Sequence, residues 1–582
     1  MILERDGELQ ALSRLVADIA SSGGKVVLVR GEAGIGKSAL VSEFAERQRQ
    51  VAHVLYGACD DLFIPQPLCP FTDWARDERT LDMALDDHDR SRLFQLTLDL
   101  LSRTDRPTIL IMEDTQWADE ATLDAIRYLG RRIARTNGIL LLTYRDGEVD
   151  YSHPLRGVIA DIPAQSMARL QLEGLSLAAV SSMVGNSGLE PAAVMTATRG
   201  NPFLVTEMAS AAEGAAPSSL RDSVMARVRK LSIGSQEMLK LFAVIPEPID
   251  TPVALGLTGV DESRLDECEQ SGLLDCDAEF VQFRHDLIRR TVEAAMSTSE
   301  RLAKNRLALQ TLPKDTHPCL LVHCAAEAED IDTLIDVAPR SARHAVALGS
   351  SKQAVEDFRE VGPYLDRYGP EDLGPLLDEW ASLEFRVDNI PEAIRLNELA
   401  RDHYRTTADR GAESRALTRS AHCHEIAGQR RRAEELAQEA IEVLGADPDG
   451  SDLARALEVN AYLQMMTSDI ASVPDLVERT LKAGGADIDD VLLIRSLSHR
   501  GMAANINSYP DGQPSLDEAR ERAEAAGQWY EECRALLMHA WAAAEFRDLT
   551  IAADYVRRAI ASAVRHDCDD GLTPSRAGSD PS

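Results

Sequence analysis

The chain has 582 residues, 44% of them hydrophobic and 27% charged, with aromatic residues at only 5%. That length exceeds what one hydrophobic core supports, so three or four domains are expected, and the scarcity of aromatics disfavours an all-β protein. With 62 basic against 96 acidic residues the formal net charge is −34, which argues against non-specific nucleic-acid binding and against anionic membranes.

No stretch approaches the 18 or more apolar residues needed to span a bilayer, and the opening MILERDGELQ has no apolar leader core. A soluble cytoplasmic protein with no membrane partner is expected. The nine cysteines include no C-x-x-C pair, so reduced thiols are expected rather than a disulfide framework. Two clusters, His317, Cys319, His323 and Cys324, and His422, Cys423 and His424, lack finger spacing and lie in helix-forming sequence. Both read as core residues.

In chain order, a helix at Leu9 to Ile19 precedes the β-branched run KVVLVR, which leads into GEAGIGKSALVSEFAERQ and reads as strand, glycine loop and helix. PTILIMED and GILLLTYRD are further apolar runs closed by polar residues, with the continuous hydrophobicity of parallel strands covered on both faces. Residues 1–165 therefore read as an α/β P-loop domain. Short helices in SLAAVSSMV, EPAAVMTATRG and NPFLVTEMASAA make residues 166–218 a helical lid ending in the break EGAAPSS. Residues 219–312 combine helices with a hairpin, LLDC and EFVQF around a turn, compatible with a winged-helix module.

From 313 to 565 the sequence is Ala-rich and helical. Small or apolar pairs seven apart (Ala354/Val361, Ala393/Ala400, Ala433/Ala440, Leu476/Ala483, Ala519/Ala526, Ala552/Ala559) recur at intervals of 33 to 43 residues, and WASLEFR at Trp380 is echoed by WAAAEFR at Trp541. This spacing suits a tetratricopeptide-like solenoid of stacked helix pairs. Residues 566–582 are polar, turn-rich and expected to be disordered. The fold class expected is thus multidomain α/β plus α.

Gly31, Gly36, Lys37 and Ser38 match G-x-x-x-x-G-K-[ST], with Gly34 inside the loop. The backbone of such a loop curls its N–H groups around phosphates, which only glycine permits. Residues Gly31, Glu32, Ala33, Gly34, Ile35, Gly36, Lys37, Ser38 and Ala39 are therefore candidates for binding ATP or ADP. Lys37 would reach the β- and γ-phosphates, Ser38 would ligate Mg²⁺, and the helix N-terminus adds its dipole. Glu113 and Asp114 close the strand ILIMED, where one acid would hold the metal through water and the other orient an attacking water. Which does which is open. Arg145 closes GILLLTYR on the same expected edge and reads equally as a γ-phosphate contact or a surface salt bridge.

The ordered blocks GEAGIGKS, ILIMEDTQWADEATLDAIRYL, LLLTYRD, RGNPFLVTEM and FRHDLIRR resemble those of signal-transduction ATPases with numerous domains (the STAND class), and among them the large ATP-binding LuxR-type transcriptional regulators. The resemblance covers residues 1–310 by motif and the remainder by architecture. It implies a slow ATPase acting as a switch, with Arg145 as the sensor arginine for the γ-phosphate, Pro202 against the adenine and His285 near the β-phosphate of bound ADP. It further implies an inducer or partner protein on the helical repeats and self-association in the ATP state. Gln116 stands where similar proteins frequently carry histidine. Residues 566–582 hold no basic recognition helix, so no direct DNA binding by this chain is expected. The alternative is a P-loop ATPase scaffold for protein partners without a DNA role.

Overall fold

The computed structural model describes residues 2–566 apart from 60–66, 87–89, 104–105, 152, 186, 188, 212–219, 258–259, 277–279, 314–315, 446–449, 467–469 and 508–510. The chain divides into two compact units, Met1–Tyr364 and Leu365–Ser582.

In the first unit β1 (Lys25–Gly31), β2 (His53–Ala58), β3 (Thr108–Glu113), β4 (Gly138–Arg145) and β5 (Met167–Gln171) form a parallel sheet in the order β2-β3-β4-β1-β5. The three runs legible in the sequence take its three central places, which is why their middles are apolar. Alternate side chains enter two separate cores. Val26, Leu28, Leu110, Met112, Leu140 and Leu142 join Ile126 and Leu129 of helix Glu120–Arg132 on one face. Val27, Val29, Ile109, Ile111, Ile139 and Leu141 join Leu12 of helix Asp6–Ser22 and Leu40 and Phe44 of helix Lys37–Gln48 on the other. The edge strands β2 and β5 leave no clear signal in the sequence, because each is only part-buried and carries no continuous apolar run.

Helices Leu177–Val184, Pro191–Thr198 and Pro202–Ala211 share a small core of Val180, Val184, Val194 and Val205. Next come helices Leu220–Lys230, Ile233–Ala243, Thr251–Gly256, Glu262–Gln270, Asp286–Ala295 and Thr298–Thr311 around an antiparallel sheet. That sheet comprises β6 (Ile249–Asp250), β7 (Leu274–Cys276) and β8 (Phe280–Phe283) in the order β6-β8-β7. The hairpin expected from LLDC and EFVQF is β7–β8, while β6, only two residues long, leaves no pattern to read. The hairpin turn and the whole EGAAPSS break lie outside the described residues, as does the tail from 567 onward. Helices Pro318–Glu327, Ile331–Ala347 and Ser351–Val361 complete the unit.

The second unit is a run of helical hairpins whose first helices are Pro370–Arg386, Arg410–Ile426, Ser451–Met465, Asp490–Asn507 and Trp529–Glu545. Of the pairs seven apart, Ala393, Ala400, Ala433, Ala440, Ala519 and Ala559 are completely buried, because only a methyl fits where helices approach closely. Ala526 is exposed, since the helix Gln513–Ala525 ends one residue before it. The echoed words make the same bond twice: Trp380 Nε1 donates to Glu384 at 3.0 Å and Trp541 Nε1 to Glu545 at 3.1 Å.

The two cysteine–histidine clusters enter helix packing. Cys319, Cys324 and Cys423 are buried, and burial pushes the Cys324 thiol up to about 12. Among the described residues no group of three potential ligands is arranged for a metal ion, and no helix is long and apolar enough to cross a membrane.

Leu141 lies wholly buried at the middle of the central strand. Leu141→Ala is expected to cost about 3 kcal/mol, read as a shift of the first urea unfolding transition followed by circular dichroism.

Candidate functional site

The parallel register aligns the carboxyl ends of β1, β3 and β4. Gly31 is paired with Arg145 across β1 and β4, Glu113 ends β3 one strand further on, and the glycine loop leaves β1 at the same edge. In open parallel sheets this edge is where ligands bind.

The loop needs its glycines for two different reasons. Gly36 caps helix Lys37–Gln48 in the left-handed region at φ 97°, with open space where a side chain would stand. Gly34, at φ 76°, is pressed from above: a Cβ there would lie 2.8 Å from Phe203 Cβ. Lys37 is 7% exposed, and its ammonium donates to the carbonyls of Gly31 and Glu32, each at 3.1 Å. Burial pulls its pKa down, and the nearby carboxylates of Asp114 and Glu113 resist that shift.

Glu113 is buried, with one carboxyl oxygen accepting the Tyr56 hydroxyl and the other without a hydrogen-bond partner among the described residues. Burial raises its pKa to about 7 against the opposing pull of Tyr56, while Asp114 adds to the rise and Ser38 and Lys37 oppose it. A buried carboxyl of that pKa, with a free oxygen beside the Ser38 hydroxyl, fits a group that binds a hydrated cation or takes a proton from water. Asp114 sits at φ 52°, held by its own N–H to Thr143 Oγ1 at 2.9 Å, and it accepts from Gln116 Nε2 at 2.8 Å. Gln116 Oε1 in turn receives the backbone N–H of Arg145 at 3.1 Å, so this side chain ties the acid to the arginine.

Arg145 is engaged on every side. Its guanidinium lies 3.6 Å from Asp114, 2.9 Å from Glu148 and 4.0 Å from Asp286, and 4.3 Å from the ring centre of Trp117. Arg290 takes a second position near Trp117 at 5.5 Å and pairs with Asp286 at 2.7 Å. Pro202 opens helix Pro202–Ala211, and its neighbours touch the loop: Asn201 Nδ2 donates to Ala33 O at 2.9 Å, and Phe203 N donates to Gly34 O at 3.3 Å. His285 stands edge-on to the Phe203 ring at 4.7 Å, and burial pushes its pKa down to about 4, so the imidazole is neutral.

The structure therefore gathers Lys37, Ser38, Glu113, Asp114 and Arg145 at one sheet edge, and links Pro202 and His285 to it through Phe203. Residues missed by sequence reasoning are Arg5, Tyr56, Trp117, Asn201, Phe203 and Asp286. Arg5 is 5% exposed and donates to Ile35 O at 3.3 Å and Glu173 O at 2.7 Å, bracing the loop from the chain's first turn. Asn201, Phe203 and Asp286 lie inside the blocks RGNPF and FRHD, which were the available signal. For Arg5 and Tyr56 no local pattern exists.

Residues 2–142 match the AAA ATPase domain family. That ATPase domain spans β1 to most of β4, with the glycine loop, Glu113 and Asp114 inside it, whereas Arg145, Pro202 and His285 lie beyond the matched stretch. No curated protein matches the chain. Among solved structures, similarity extends to a STAND protein with a tetratricopeptide repeat sensor from Pyrococcus horikoshii (15% identity, 96% of this chain and 83% of that one, TM-score 0.44). It also extends to a Rap protein complexed with Competence and Sporulation Factor (11%, 67% and 99%, TM-score 0.33) and to Cdc6p from Pyrobaculum aerophilum (13%, 54% and 96%, TM-score 0.27). At these TM-scores the likenesses assign no function.

Folding raises the Glu113 pKa from 4.5 to about 7, so the folded chain binds the extra proton between those values. The stability this proton confers is fully present below about pH 4.5 and is lost as pH rises through about 7. Glu113→Gln is expected to raise the urea midpoint at pH 8 and to flatten its dependence between pH 5 and 7, about the window named, measured by circular dichroism.

Proposed function

We propose that this chain is a STAND-class switch that binds ATP or ADP with Mg²⁺ and hydrolyses ATP slowly, its state set by a ligand or partner on the helical repeats. The observation that carries this reading is the occupation of the nucleotide-facing groups by each other. Lys37 is held by loop carbonyls, Arg145 by Asp114, Glu148 and Asp286, and the loop itself by Asn201 and Phe203. Such a site is closed, and its opening releases two cations and a glycine loop together.

The residues present fit a nucleotide. Bound there, a nucleoside triphosphate with Mg²⁺ would supply the phosphoanhydride to be cleaved. Lys37 would exchange its two carbonyls for phosphate oxygens, a stronger charge-assisted bond. Ser38 and Glu113 would hold the metal, and Glu113 or Asp114 would take the proton of the attacking water. Arg145 would trade carboxylates for a γ-phosphate oxygen, Pro202 would lie against the base, and neutral His285 would donate a single hydrogen bond to the β-phosphate.

The helices and small antiparallel sheet of residues 220–311 support a winged-helix reading for the module that carries His285 and Asp286. Loss of the Arg145–Asp286 contact would separate that module from the sheet edge and free a surface for self-association. Regulation of transcription, as in the LuxR-type regulators, is the output that the five ordered blocks favour. A scaffold for protein partners is the reading that applies if no change in transcription accompanies nucleotide exchange.

Lys37→Ala is expected to weaken binding of a fluorescent ADP analogue by at least ~100-fold, since both charge and donors are lost; retained wild-type affinity overturns the site. Asp286→Asn is expected to speed ADP release ~10-fold, measured by chase with unlabelled ADP, because one carboxylate of the closed state is removed.

A further inference from the structure

Against the overall charge of −34, one groove in the second unit is strongly basic. Arg415, Arg455, Arg495 and Arg534 recur every 39 or 40 residues on the first helices of successive hairpins. Three of them reach an acid at the next such helix: Arg415 lies 2.8 Å from Asp452, Arg455 2.9 Å from Asp489 and Arg495 2.7 Å from Glu531. A second ladder runs beside the first. Phe385, His422, Tyr462 and His499 follow one another at 37 or 40 residues, with ring centres 5.3, 5.8 and 5.7 Å apart.

The four arginines and the rings of Phe385, His422 and Tyr462 line a cavity of about 650 Å³, with Arg386 and Arg419 added on the basic side and only Glu458 and Asp489 as acids in the lining. Bracing of the repeats does not account for it. The Arg455 and Asp489 side chains are 50% and 42% exposed, and ion pairs that open contribute little to stability. A guanidinium has five donors and one carboxylate uses at most two, so each arginine keeps donors for a second acceptor. Arg386 is exposed and makes no ion pair among the described residues. At the His422 ring positive charge prevails: after burial itself, Arg495 and Arg534 are what push it down to about 4. A cavity of this size suits a metabolite rather than a folded partner.

We propose that this groove binds a small organic carboxylate with a flat apolar body, its acid group taken by Arg386 and the neighbouring ladder arginines and its body laid on Phe385, His422 and Tyr462. This gives a chemical class to the ligand on the repeats, and it rests on the switch reading only for its effect on nucleotide.

The test is ligand-observed NMR on the full chain with benzoate, phenylacetate, cinnamate and 2-naphthoate, each beside its uncharged amide, and with phenyl phosphate as a different anion. At least one carboxylate is expected to bind with a Kd below ~1 mM and its amide at least ~10-fold more weakly. Arg386→Gln together with Arg455→Gln should weaken that carboxylate ~10-fold, while Arg431→Gln, on the outer helix and 93% exposed, should leave it unchanged. Arg386→Gln alone, at an exposed unpaired site, serves if the double variant unfolds. The proposal is overturned if no carboxylate binds better than its amide, if the groove variants bind as tightly as wild type, or if phenyl phosphate binds more tightly than every carboxylate. Binding is also read on Lys37→Ala: carboxylate binding there, with ADP release from wild type unaltered, sustains the groove and removes its role in the switch.

Discussion

Everything at the nucleotide edge depends on the parallel register of β1, β4 and β3. Pairing Gly31 with Arg145 and ending β3 at Glu113 puts a glycine loop, a carboxylate and a guanidinium within one short stretch of sheet edge. A slip of one residue would turn Val27, Val29, Ile139 and Leu141 out of one core and into the other. The register in turn fixes the site.

A cost accompanies this arrangement. Lys37 and Glu113 are charged groups drawn out of water, and burial opposes the charge of each. Their mutual attraction and the bond from Tyr56 offset part of that loss. What remains is a buried acid pushed up to about 7 and a lysine whose donors rest on carbonyls. Arg145, at the same edge, is held by three carboxylates.

The second unit solves a different problem with repetition. Alanine at the helix contacts lets hairpins stack closely, and the same stacking brings repeat-spaced side chains into register. Residues about 40 positions apart in sequence become neighbours, so an arginine and a ring repeated once per hairpin become two continuous ladders. The Arg415–Asp452 and Arg455–Asp489 pairs could not be read from the Ala pairs that revealed the period.

Local pattern was sufficient for what sits at the centre of each element: the three central strands, the glycine loop with Lys37 and Ser38, the acids closing β3, the β7–β8 hairpin and the helical repeats. Each leaves a continuous run, a fixed spacing or a period in the amino-acid order. The sequence was silent on β2, β5 and β6, whose part-buried or very short edges carry no such run, and on Arg5 and Tyr56, single side chains whose partners lie 30 and 57 residues away. Tertiary structure alone decided that Arg145 would meet Asp286, that Phe203 would press on Gly34 and turn its ring to His285, and that Glu113 would be dry enough to hold a proton near neutrality. Those outcomes depend on distance and water exclusion, which only packing sets.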